Sequence, residues 1–572
     1  MDEQLTQEQH QLILDIATDF YRYAANNLWI KNKDAEIVRF EPNIAQRVLI
    51  DRVLYLLEIG EPVRIVILKA RQMGLSTAVE AVIYWYTSTH KNITAMIVGH
   101  EDQSSKNLYN MFRRYYENSN ILFKPVTRYD TKTDLTFQRY DSEGNQVGLN
   151  SVIKTATARN TSVGRSDTIQ LLHGSEIGEW EHGEELVASL LQTVPVRPNT
   201  MIFLESTAKG RGNFFYKQWQ ASVKGDTPFE PFFFPWWLHE EYEMPLKDNE
   251  TIEYTREEEE VVKVIKEGIH IAGKFYEVDH AKIPEKIKFR RYKEREFRAT
   301  PEKLYQEYPS TAHEAFIATG RPVFDVKALS LMEKLCAQHP PKRYDLVEKP
   351  GRIIEAIPSD EFGMLKIWDM PEPHEEYVIG ADPAEGLANG DFSVADVIRK
   401  RDMKTVARLR GHIDPDQFGH ALDKLGRFYN FALMGVEINN HGLAVVQRLR
   451  DLFYTNLYRR EKGLDERFEE STSKLGWKTD MRTKPLAIDY LVEAIREGYV
   501  IDYDIVFVEE AFSYVRDDNG RTNAEEGDHD DTVMAKAIAL QMYEWSNNNK
   551  ADLKVYVPQK MATMKKKHKV IR

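Results

Sequence analysis

The sequence predicts an α/β protein of several units, and three observations support this prediction. Short β-branched runs alternate with helical patterns in two blocks, from about residue 60 to 210 and from about residue 350 to 548. The stretch between the blocks has a different composition, rich in aromatic, proline and charged residues. A chain of 572 residues is also too long for one core, because domains usually contain roughly 100–200 residues.

The predicted elements follow in chain order, beginning with a mostly helical region up to about residue 60. The first block is expected to contain strands over Val63–Lys69, Ile93–Gly99, Thr168–His173 and Thr200–Glu205. Because these runs are apolar and helices separate them, they predict a parallel sheet. The second block is expected to contain strands over Tyr377–Ala381, Val394–Arg399, Thr405–His412, Leu433–Ile438 and Ile505–Val508, and helices over Pro415–Tyr429, Gly442–Phe453, Lys484–Glu497 and Asp531–Glu544.

These patterns divide the chain into four predicted segments. A core occupies residues 1–230, a lid or linker subdomain 231–345, a second core 346–548 and a basic tail 549–572. A composition of 42% hydrophobic and 29% charged residues is typical of a soluble globular chain. The single cysteine, Cys336, excludes an internal disulfide and a zinc ribbon, and it indicates a reducing cytosol. No apolar run approaches the roughly 18 residues that a membrane span needs.

A phosphate-binding loop is predicted after the first strand, where strand, tight loop and helix follow one another. The standard loop opens with Gly and closes with Gly-Lys-Ser/Thr. Gly74 and Ser76 occupy the closing positions, whereas Leu75 stands in place of the lysine, so we expect Lys69 at the loop's opening to replace it. An ordinary strand-to-helix turn is the alternative. The residues expected to bind ATP here are Lys69, Arg71, Gln72, Gly74, Ser76 and Thr77, with the Ser76 or Thr77 hydroxyl on Mg²⁺.

A carboxylate that orients the attacking water is expected just past a second strand. Glu176 fits this role, while Ser175 stands where an Mg²⁺-associated Asp is usual, so metal support there is expected to be weaker or water-mediated. Arg165 lies in a polar loop that can present it to a γ-phosphate, in cis or from a neighbouring subunit. A structural glutamate and a solvated arginine are the alternatives.

Two further segments are expected to contact the nucleotide. Phe40 and Gln46 stand where an aromatic ring can stack on adenine and an amide can read it by hydrogen bonds. Glu205-Ser206-Thr207 ends the strand predicted over Thr200–Glu205, where it can sense the γ-phosphate and couple hydrolysis to motion.

A second candidate site is a cluster of carboxylates. Asp382 and Glu437 each follow an apolar strand, and Asp528-His529-Asp530-Asp531 opens a helix. Carboxylates brought together in this way repel one another unless divalent metal lies among them. Two Mg²⁺ or Mn²⁺ ions about 3.5–4 Å apart would suit phosphodiester cleavage. The plainer alternatives are helix N-caps and a strand-end turn. His173, His441 and His529 lie near the two sites, and local hydrogen bonding is the expected role of each.

The chain resembles the large subunit of the terminase, the DNA-packaging motor of tailed phages. Lys69–Thr77 resembles the family's deviant Walker A, Ser175-Glu176 its Walker B ending, and Ser206–Gly210 its coupling motif. Gln306–Ser310, with Glu314-Ala-Phe316, resembles the approach to its interdomain linker. The order strand Asp, strand Glu, helix-start Asp-Asp resembles its RNase H-like nuclease half, which makes Asp382, Glu437 and Asp530 or Asp531 the implied metal ligands. The roles of Asp391 and Asp528 stay open, and Thr483-Lys484 resembles a position near the substrate backbone.

The resemblance implies a P-loop ATPase of the ASCE type joined to a metal-dependent endonuclease. ATP turnover would drive double-stranded DNA into a procapsid, and the nuclease would cut concatemeric DNA at initiation and termination. The implied partners are double-stranded DNA, the portal protein, the terminase small subunit and further copies of the chain in a pentameric ring. The expected location is the cytoplasm of the infected bacterium, transiently on the procapsid and not in the mature virion. The alternatives are a repair or recombination helicase-nuclease and a non-catalytic capsid scaffold.

The charge distribution fits a chain that moves along DNA. The net charge is −13, from 77 basic and 90 acidic residues, which on its face argues against a nucleic-acid partner. Seven of the basic residues lie from Lys554 onward, so the rest of the chain carries −20. Each neutralised phosphate adds salt-dependent affinity that would hold DNA in place. The sequence therefore argues against a static DNA clamp, and the tail is either a solubility end or a contact to portal or DNA.

Overall fold

The chain divides into two units, Met1–Thr319 and Gly320–Arg572, each with its own sheet and apolar core. The structure is a computed structural model that describes residues 6–131, 133–141, 143–160, 168–211, 213–316, 321–360, 362–387, 390–460, 475–516, 520–524 and 528–548. Within these ranges no helix combines the length and the apolar composition of a membrane span.

The first unit places helices around one large sheet. Its helices are α1 (Gln7–Thr18), α2 (Phe20–Asn27), α3 (Ile44–Glu58), α4 (Leu75–Thr89), α5 (Asp102–Asn118), α6 (Gly183–Thr193), α7 (Phe214–Lys224), α8 (Arg256–Glu267), α9 (Ile283–Glu296), α10 (Pro301–Glu307) and α11 (Ala312–Ala315). Its strands are β1 (Trp29–Lys31), β2 (Ile37–Arg39), β3 (Val63–Lys69), β4 (Thr94–Gly99), β5 (Tyr129–Asp130), β6 (Asp134–Tyr140), β7 (Gln146–Thr157), β8 (Leu171–Ser175), β9 (Met201–Ser206), β10 (Glu230–Phe234), β11 (Ile269–Ile271) and β12 (Lys274–Tyr276).

The parallel sheet predicted for the first block is confirmed. Its strand order is β10-β3-β9-β8-β4-β7-β6-β5, parallel from β10 to β7 and antiparallel at β6 and β5. Every residue of β3 is buried, as a central strand covered on both faces requires. The strand predicted over Thr168–His173 lies instead at Leu171–Ser175, so that Glu176 follows it directly. The carboxyl ends of β3, β8 and β9 therefore meet at one edge of the sheet.

The predicted lid does not start where the sheet ends. Residue 230 opens β10, which pairs in parallel with β3, so the predicted boundary falls inside the sheet. Trp236, Ile283 and Leu304 belong to the same apolar cluster as β3 residues such as Ile65. Residues 231–319 are thus part of the first unit, because their apolar side chains share its core. At the other end of the predicted lid, residues 326–345 belong to the second unit.

The second unit is also α/β, with a mixed sheet. Its helices are α12 (Val326–Gln338), α13 (Pro415–Phe428), α14 (Gly442–Asp451), α15 (Thr483–Arg496), α16 (Ile505–Phe512) and α17 (Asp531–Asn548). Its strands are β13 (Arg321–Pro322), β14 (Lys342–Lys349), β15 (Ile353–Pro358), β16 (Leu365–Ile367), β17 (Tyr377–Asp382), β18 (Ser393–Arg399), β19 (Lys404–Gly411), β20 (Leu433–Val436), β21 (Tyr514–Arg516) and β22 (Thr522–Ala524). The main sheet has the order β15-β14-β16-β19-β18-β17-β20, antiparallel except for the pair β17 and β20.

The strand predicted over Ile505–Val508 is wrong, because this segment is the helix α16. Asp504 caps the helix with its side chain, which accepts a hydrogen bond from the backbone amide of Val506. A short apolar run does not distinguish a strand from a buried helix by its periodicity. Here the run continues through Glu509 and Glu510 to Phe512, long enough for two helical turns.

Helix α17 packs unusually closely on β17. A Cβ atom added to Gly380 would lie 2.2 Å from the backbone nitrogen of Ala539, so only glycine permits this approach. A buried ion cluster also ties α17 to the sheet: Lys536 Nζ lies 2.7 Å from Asp396 Oδ2 and 2.9 Å from Asp502 Oδ2. Arg408, from β19, reaches the same Asp502 carboxylate at 2.7 Å. The start of α17 is therefore held beside the carboxyl end of β17.

Candidate active sites

The phosphate loop runs from the end of β3 to the start of α4. Gln72 and Gly74 have φ angles of 55° and 74°, so the loop turns through the left-handed region twice. At Gly74 a Cβ atom would also lie 2.6 Å from Gln46 Nε2, so a side chain there would displace the Gln46 amide. The backbone amides at the start of α4 are unpaired within the helix and carry the positive end of its dipole, as a phosphate site needs.

Lys69 stands at the centre of this site. Its buried amine donates a hydrogen bond to Ser76 Oγ (3.2 Å) and lies 3.3 Å from Glu205 Oε2 and 3.5 Å from Glu176 Oε1. Burial alone would lower the pKa of Lys69, but the charges of Glu205 and Glu176 outweigh it and raise the pKa. The relocated lysine is therefore a fixed positive charge within reach of the loop.

Glu176 faces the loop from the end of β8. Its side chain keeps 30% of its exposure, and its backbone has a left-handed φ of 55°. A non-glycine residue in this region is strained and is held there by its surroundings. Trp180 contributes to the support, because its indole Nε1 donates to the carbonyl of Ser175 (3.2 Å). Glu176 thus has the position and the access of a residue that orients water.

Glu205, which the sequence analysis places in the segment expected to sense the γ-phosphate, lies among the charged groups of this site. Its fully buried carboxylate accepts hydrogen bonds from Ser76 Oγ (2.5 Å) and from Ser175 Oγ (3.2 Å). Burial opposes ionisation of Glu205, but the charges of Lys69 and His173 overcome it and hold the pKa well below the usual range. The sequence signal for its buried position is a charged residue that directly follows the apolar run Met201–Leu204.

A buried histidine, His173, lies between Glu80 and Glu205. His173 Nδ1 is 2.7 Å from Glu80 Oε1, and Nε2 is 3.3 Å from Glu205 Oε1. Burial would lower the pKa of His173, but Glu80 and Glu205 raise it to about 9. Burial in turn raises the pKa of Glu80 to about 7, against the effect of His173. His173 is therefore predominantly cationic at neutral pH and supports the charge of Glu205.

The remaining predicted nucleotide residues surround the loop. Gln46 Nε2 donates to the carbonyl of Gly74 (2.6 Å), and Gln46 Oε1 accepts from the amide of Asn43 (3.0 Å), so this side chain holds the loop. Phe40 is buried in the core with 2% exposure, so its ring is not open to a base. Arg71 lies 3.0 Å from Glu307.

Of the other predicted features, two lie at the loop and two lie outside the described residues. Gln72 lies exposed on the loop, and Thr77 follows Ser76 on the first turn of α4. Arg165 and the basic tail lie outside the described residues.

The second site gathers the predicted carboxylates. Asp382 ends β17 and Glu437 follows β20, and because these strands run in parallel both residues lie at one edge of the sheet. Asp530 and Asp531, at the start of α17, line the same cavity of about 460 Å³. Gly442 makes room for this arrangement, since a Cβ atom there would lie 1.6 Å from the carbonyl oxygen of Glu437.

The electrostatics of this cavity favour a cation. Burial and then the neighbouring Glu437 raise the pKa of Asp382 well above its ordinary value. Burial likewise raises the pKa of Asp531 to about 6 and raises the pKa of Asp530. Carboxylates in such a group resist joint ionisation unless a positive charge enters. Oxygen donors in this number fit Mg²⁺ or Mn²⁺.

Asp391, whose role the sequence left open, also lines this cavity, and His529 Nδ1 lies 3.4 Å from Asp391 Oδ1. One ligand atom from each of Asp391, His529 and Asp531 lies within 4.8 Å of the others, which makes a group able to hold a metal ion. The backbone amide of Phe392 donates to Asp531 Oδ2 (2.9 Å) and orients that carboxylate. Asp528 is not among the residues that line the cavity.

Lys484 supplies a positive charge at the cavity. Its amine lies 3.8 Å from Asp530 Oδ2 and donates to Asn523 Oδ1 (3.0 Å). Asn439 Nδ2 donates to Glu437 Oε1 (3.3 Å) and to the carbonyl of Thr479 (2.7 Å), which fixes the Glu437 side chain. An amine beside a carboxylate cavity is suited to contact a phosphate of a bound backbone.

Comparison with known proteins shows similarity to solved structures of phage terminases. The crystal structure of the HK97 bacteriophage large terminase is 10% identical, with a TM-score of 0.41, over 91% of this chain and 98% of that chain. The large terminase nuclease from thermophilic phage G20c with bound magnesium is 20% identical, with a TM-score of 0.26, over 32% of this chain and 90% of that chain. The ATPase domain of the Thermus phage P74-26 large terminase, an R139A mutant, is 17% identical, with a TM-score of 0.27, over 35% of this chain and 83% of that chain.

No model of a protein family and no curated protein matches the chain. The solved structures that are similar to this chain are large terminases, or domains of large terminases, from phages.

Proposed function

We propose that this chain is the motor subunit that packages a phage genome: it hydrolyses ATP to move double-stranded DNA into a procapsid and cuts that DNA with a metal-dependent nuclease site. One observation carries the proposal. A single chain holds both a phosphate loop with Lys69, Ser76 and Glu176 in contact distance and a cavity whose lining includes the four predicted carboxylates, Asp382, Glu437, Asp530 and Asp531. The first set suits phosphoanhydride hydrolysis, and the second suits cleavage of a phosphodiester.

In the ATPase site, the amides at the start of α4 receive the phosphates and Lys69 neutralises their charge. Lys69 is paired with Glu176 and Glu205 in the structure, so the phosphates compete with these carboxylates for the amine. Glu176 then orients a water in line with the γ-phosphate and accepts its proton. Magnesium, when bound, neutralises charge on the phosphates, and Ser76 is the residue that fits it, since one lone pair of its hydroxyl is left after the bond from Lys69.

In the nuclease site, Asp382, Glu437, Asp530 and Asp531 would hold divalent metal. Bound divalent metal would supply an activated water as the nucleophile and positive charge to stabilise the oxygen that leaves. Asn439 keeps the Glu437 carboxylate in orientation, and Phe392 does the same for Asp531 through its backbone amide. Lys484 lines the same cavity and would contact the DNA backbone beside the scissile bond.

The assembly is part of the same proposal. The chain would act on double-stranded DNA as a ring of copies, pentameric in the resembled family, docked on the portal of the procapsid and loaded by a small subunit. It would work in the cytoplasm of the infected cell and leave the filled capsid. The similarity to the HK97 bacteriophage large terminase over 91% of the chain is in keeping with this role.

The decisive experiment measures ATP hydrolysis by the purified chain with and without empty procapsids and linear DNA. A packaging motor hydrolyses ATP faster with both present and protects the DNA from added nuclease. A strand-displacement assay on blunt and tailed duplexes runs in parallel. Separation of the strands would favour the helicase-nuclease instead, and ATP hydrolysis that stays at background in every mixture would contradict a motor.

A further inference from the structure

The ATPase site lacks one charge that phosphate-loop enzymes usually have. Ser175 occupies the position of the Asp that normally supports the magnesium of the nucleotide, and a hydroxyl carries no negative charge. In the sheet, Ser175 of β8 pairs in register with Glu205 of β9. The two side chains meet, because Ser175 Oγ donates to Glu205 Oε1 at 3.2 Å. A carboxylate is therefore present at the same level of the sheet, one strand away.

We propose that Glu205 supplies this missing charge: it anchors the magnesium of the bound nucleotide through Ser76, in place of the aspartate that Ser175 replaces. The inference rests on the proposed ATPase function and adds a residue to it. Glu205 is a positioning residue, since it acts through the hydroxyl of Ser76 and not on the nucleotide itself.

The hydrogen bond to Ser76 carries the first step of the argument. Ser76 Oγ donates its proton to Glu205 Oε1 at 2.5 Å, so the serine lone pairs point away from that carboxylate. One lone pair accepts from Lys69 Nζ (3.2 Å), and the other is left for a cation beside the phosphates. Because the acceptor is ionised, the hydroxyl oxygen also gains electron density, which strengthens it as a metal ligand.

The surroundings of Glu205 keep it charged. Lys69 Nζ lies 3.3 Å from its Oε2, and His173 Nε2 lies 3.3 Å from its Oε1. The other titratable groups that face this cluster are Glu80, which pairs with His173 at 2.7 Å, and Glu176, at 3.5 Å from Lys69. When ATP engages Lys69, Glu205 keeps His173 as its cationic partner. The carboxylate is thus retained in both states of the site.

A purely structural role would need no link to metal, so the test measures how magnesium changes ATP affinity. Calorimetric titration with ATP is done on the full chain in EDTA and in Mg²⁺. The wild type is expected to bind ATP more tightly in Mg²⁺. We call the factor by which Mg²⁺ tightens ATP binding, relative to EDTA, the magnesium gain. Glu205→Gln is expected to bind ATP in EDTA at least as tightly as the wild type does. Its magnesium gain is expected to be smaller than that of the wild type by about tenfold or more. Glu179→Gln, a partly exposed glutamate paired with Lys209, is the matched control and should keep the whole gain.

Two double variants separate anchoring from general damage. In Ser175→Asp/Glu205→Gln the carboxylate returns to the neighbouring strand, and recovery of most of the magnesium gain is expected. In the Ser76→Ala background, Glu205→Gln should have little further effect, because both residues act through one hydroxyl. If Glu205→Gln does not fold, Glu205→Asp is used instead. This variant keeps the negative charge but is one methylene shorter, so a partial loss of the magnesium gain is expected.

Three results would overturn the proposal. The first is an unchanged magnesium gain in Glu205→Gln, or in Glu205→Asp if Glu205→Gln does not fold. The others are a magnesium gain that does not recover in Ser175→Asp/Glu205→Gln, and losses of the gain that add when Ser76→Ala and Glu205→Gln are combined. The proposed function fails by a different result, since a wild type that binds Mg·ATP but does not hydrolyse it with DNA and procapsids would contradict the motor and leave the anchoring intact.

Discussion

Lys69 Nζ lies 3.5 Å from Glu176 Oε1, so the relocated lysine at the end of β3 and the carboxylate that follows β8 form an ion pair. Lys69 comes from the end of β3 and Glu176 from the end of β8, with β9 between them in the sheet. In the proposed function, phosphate oxygens would compete with Glu176 for the Lys69 amine. The pair thus offers a direct way to link occupancy of the site to the position of Glu176.

Replacing Lys69 tests whether it serves as the phosphate-binding lysine. We expect Lys69→Ala to lower ATP turnover by about 100-fold or more, because no other cation lies as deep in the loop among the described residues. It should also destabilise the first unit, since Glu205 keeps its charge without this partner. ATP hydrolysis with DNA and procapsids and thermal unfolding measure the two effects. Lys263→Ala, at an exposed position of α8, is the control, and near-normal turnover in Lys69→Ala would contradict this role for Lys69.

Replacing Glu176 separates nucleotide binding from hydrolysis. Glu176→Gln keeps the shape of the side chain but cannot accept a proton, so we expect ATP to bind and turnover to fall by about 100-fold or more. Binding of a fluorescent ATP analogue and DNA-stimulated hydrolysis check the two halves of this expectation. Glu179→Gln, three positions further along the chain, should behave as the wild type. DNA-stimulated hydrolysis that survives in Glu176→Gln would remove this residue from the mechanism.

The carboxylate cavity predicts a metal-dependent stability. In the wild type, Mg²⁺ or Mn²⁺ should raise the unfolding temperature of the second unit, because the ion relieves repulsion among Asp382, Glu437 and Asp531. Asp382→Asn should lose DNA cleavage, keep ATP hydrolysis and show a smaller thermal shift. Scanning calorimetry with EDTA or metal and a plasmid-nicking assay provide the measurements. Full cleavage by Asp382→Asn in Mg²⁺ or Mn²⁺ would contradict the two-metal site.

The buried ion cluster around Asp502 predicts sensitivity to acid. Burial opposes ionisation of Asp502, but Arg408 and Lys536 overcome it and hold its pKa well below the ordinary value. A lowered folded pKa contributes stability that is present above the unfolded value, about pH 4, and is lost as the pH falls further toward the folded value. The second unit should therefore lose stability steeply below about pH 4, as chemical denaturation at several pH values would measure.

Asp502→Asn provides the matching mutation. It leaves the charges of Arg408 and Lys536 less compensated in the core, so we expect a loss of about 3–5 kcal/mol at neutral pH and a weaker acid dependence. Nuclease activity should fall with it, because Lys536 anchors the helix that begins with Asp531. Asp489→Asn, at an exposed position, is the control. A variant with unchanged stability at neutral pH would show that the cluster does not hold α17 in place.

The sequence by itself determined the local parts of both sites. Lys69, Ser76 and Glu176 could be identified because strand, loop and helix follow within a few residues, and such a turn fixes its own geometry. Asp382 and Glu437 could be identified because each closes an apolar strand. The parallel direction of β3, β8 and β9 also could be predicted, because helices separate these apolar strands along the chain.

Only the tertiary structure decided which distant residues complete these sites. Glu205 meets Ser175 through the register of two strands, and Asp391 meets His529 across the start of α17. Two elements also became apparent only in the structure. The strand β10 lies in a segment rich in proline and aromatic residues, and it pairs with β3. The segment predicted as a strand over Ile505–Val508 is the helix α16, which Asp504 caps. Strand pairing and helix docking depend on contacts between residues far apart in the chain, and no local pattern encodes them.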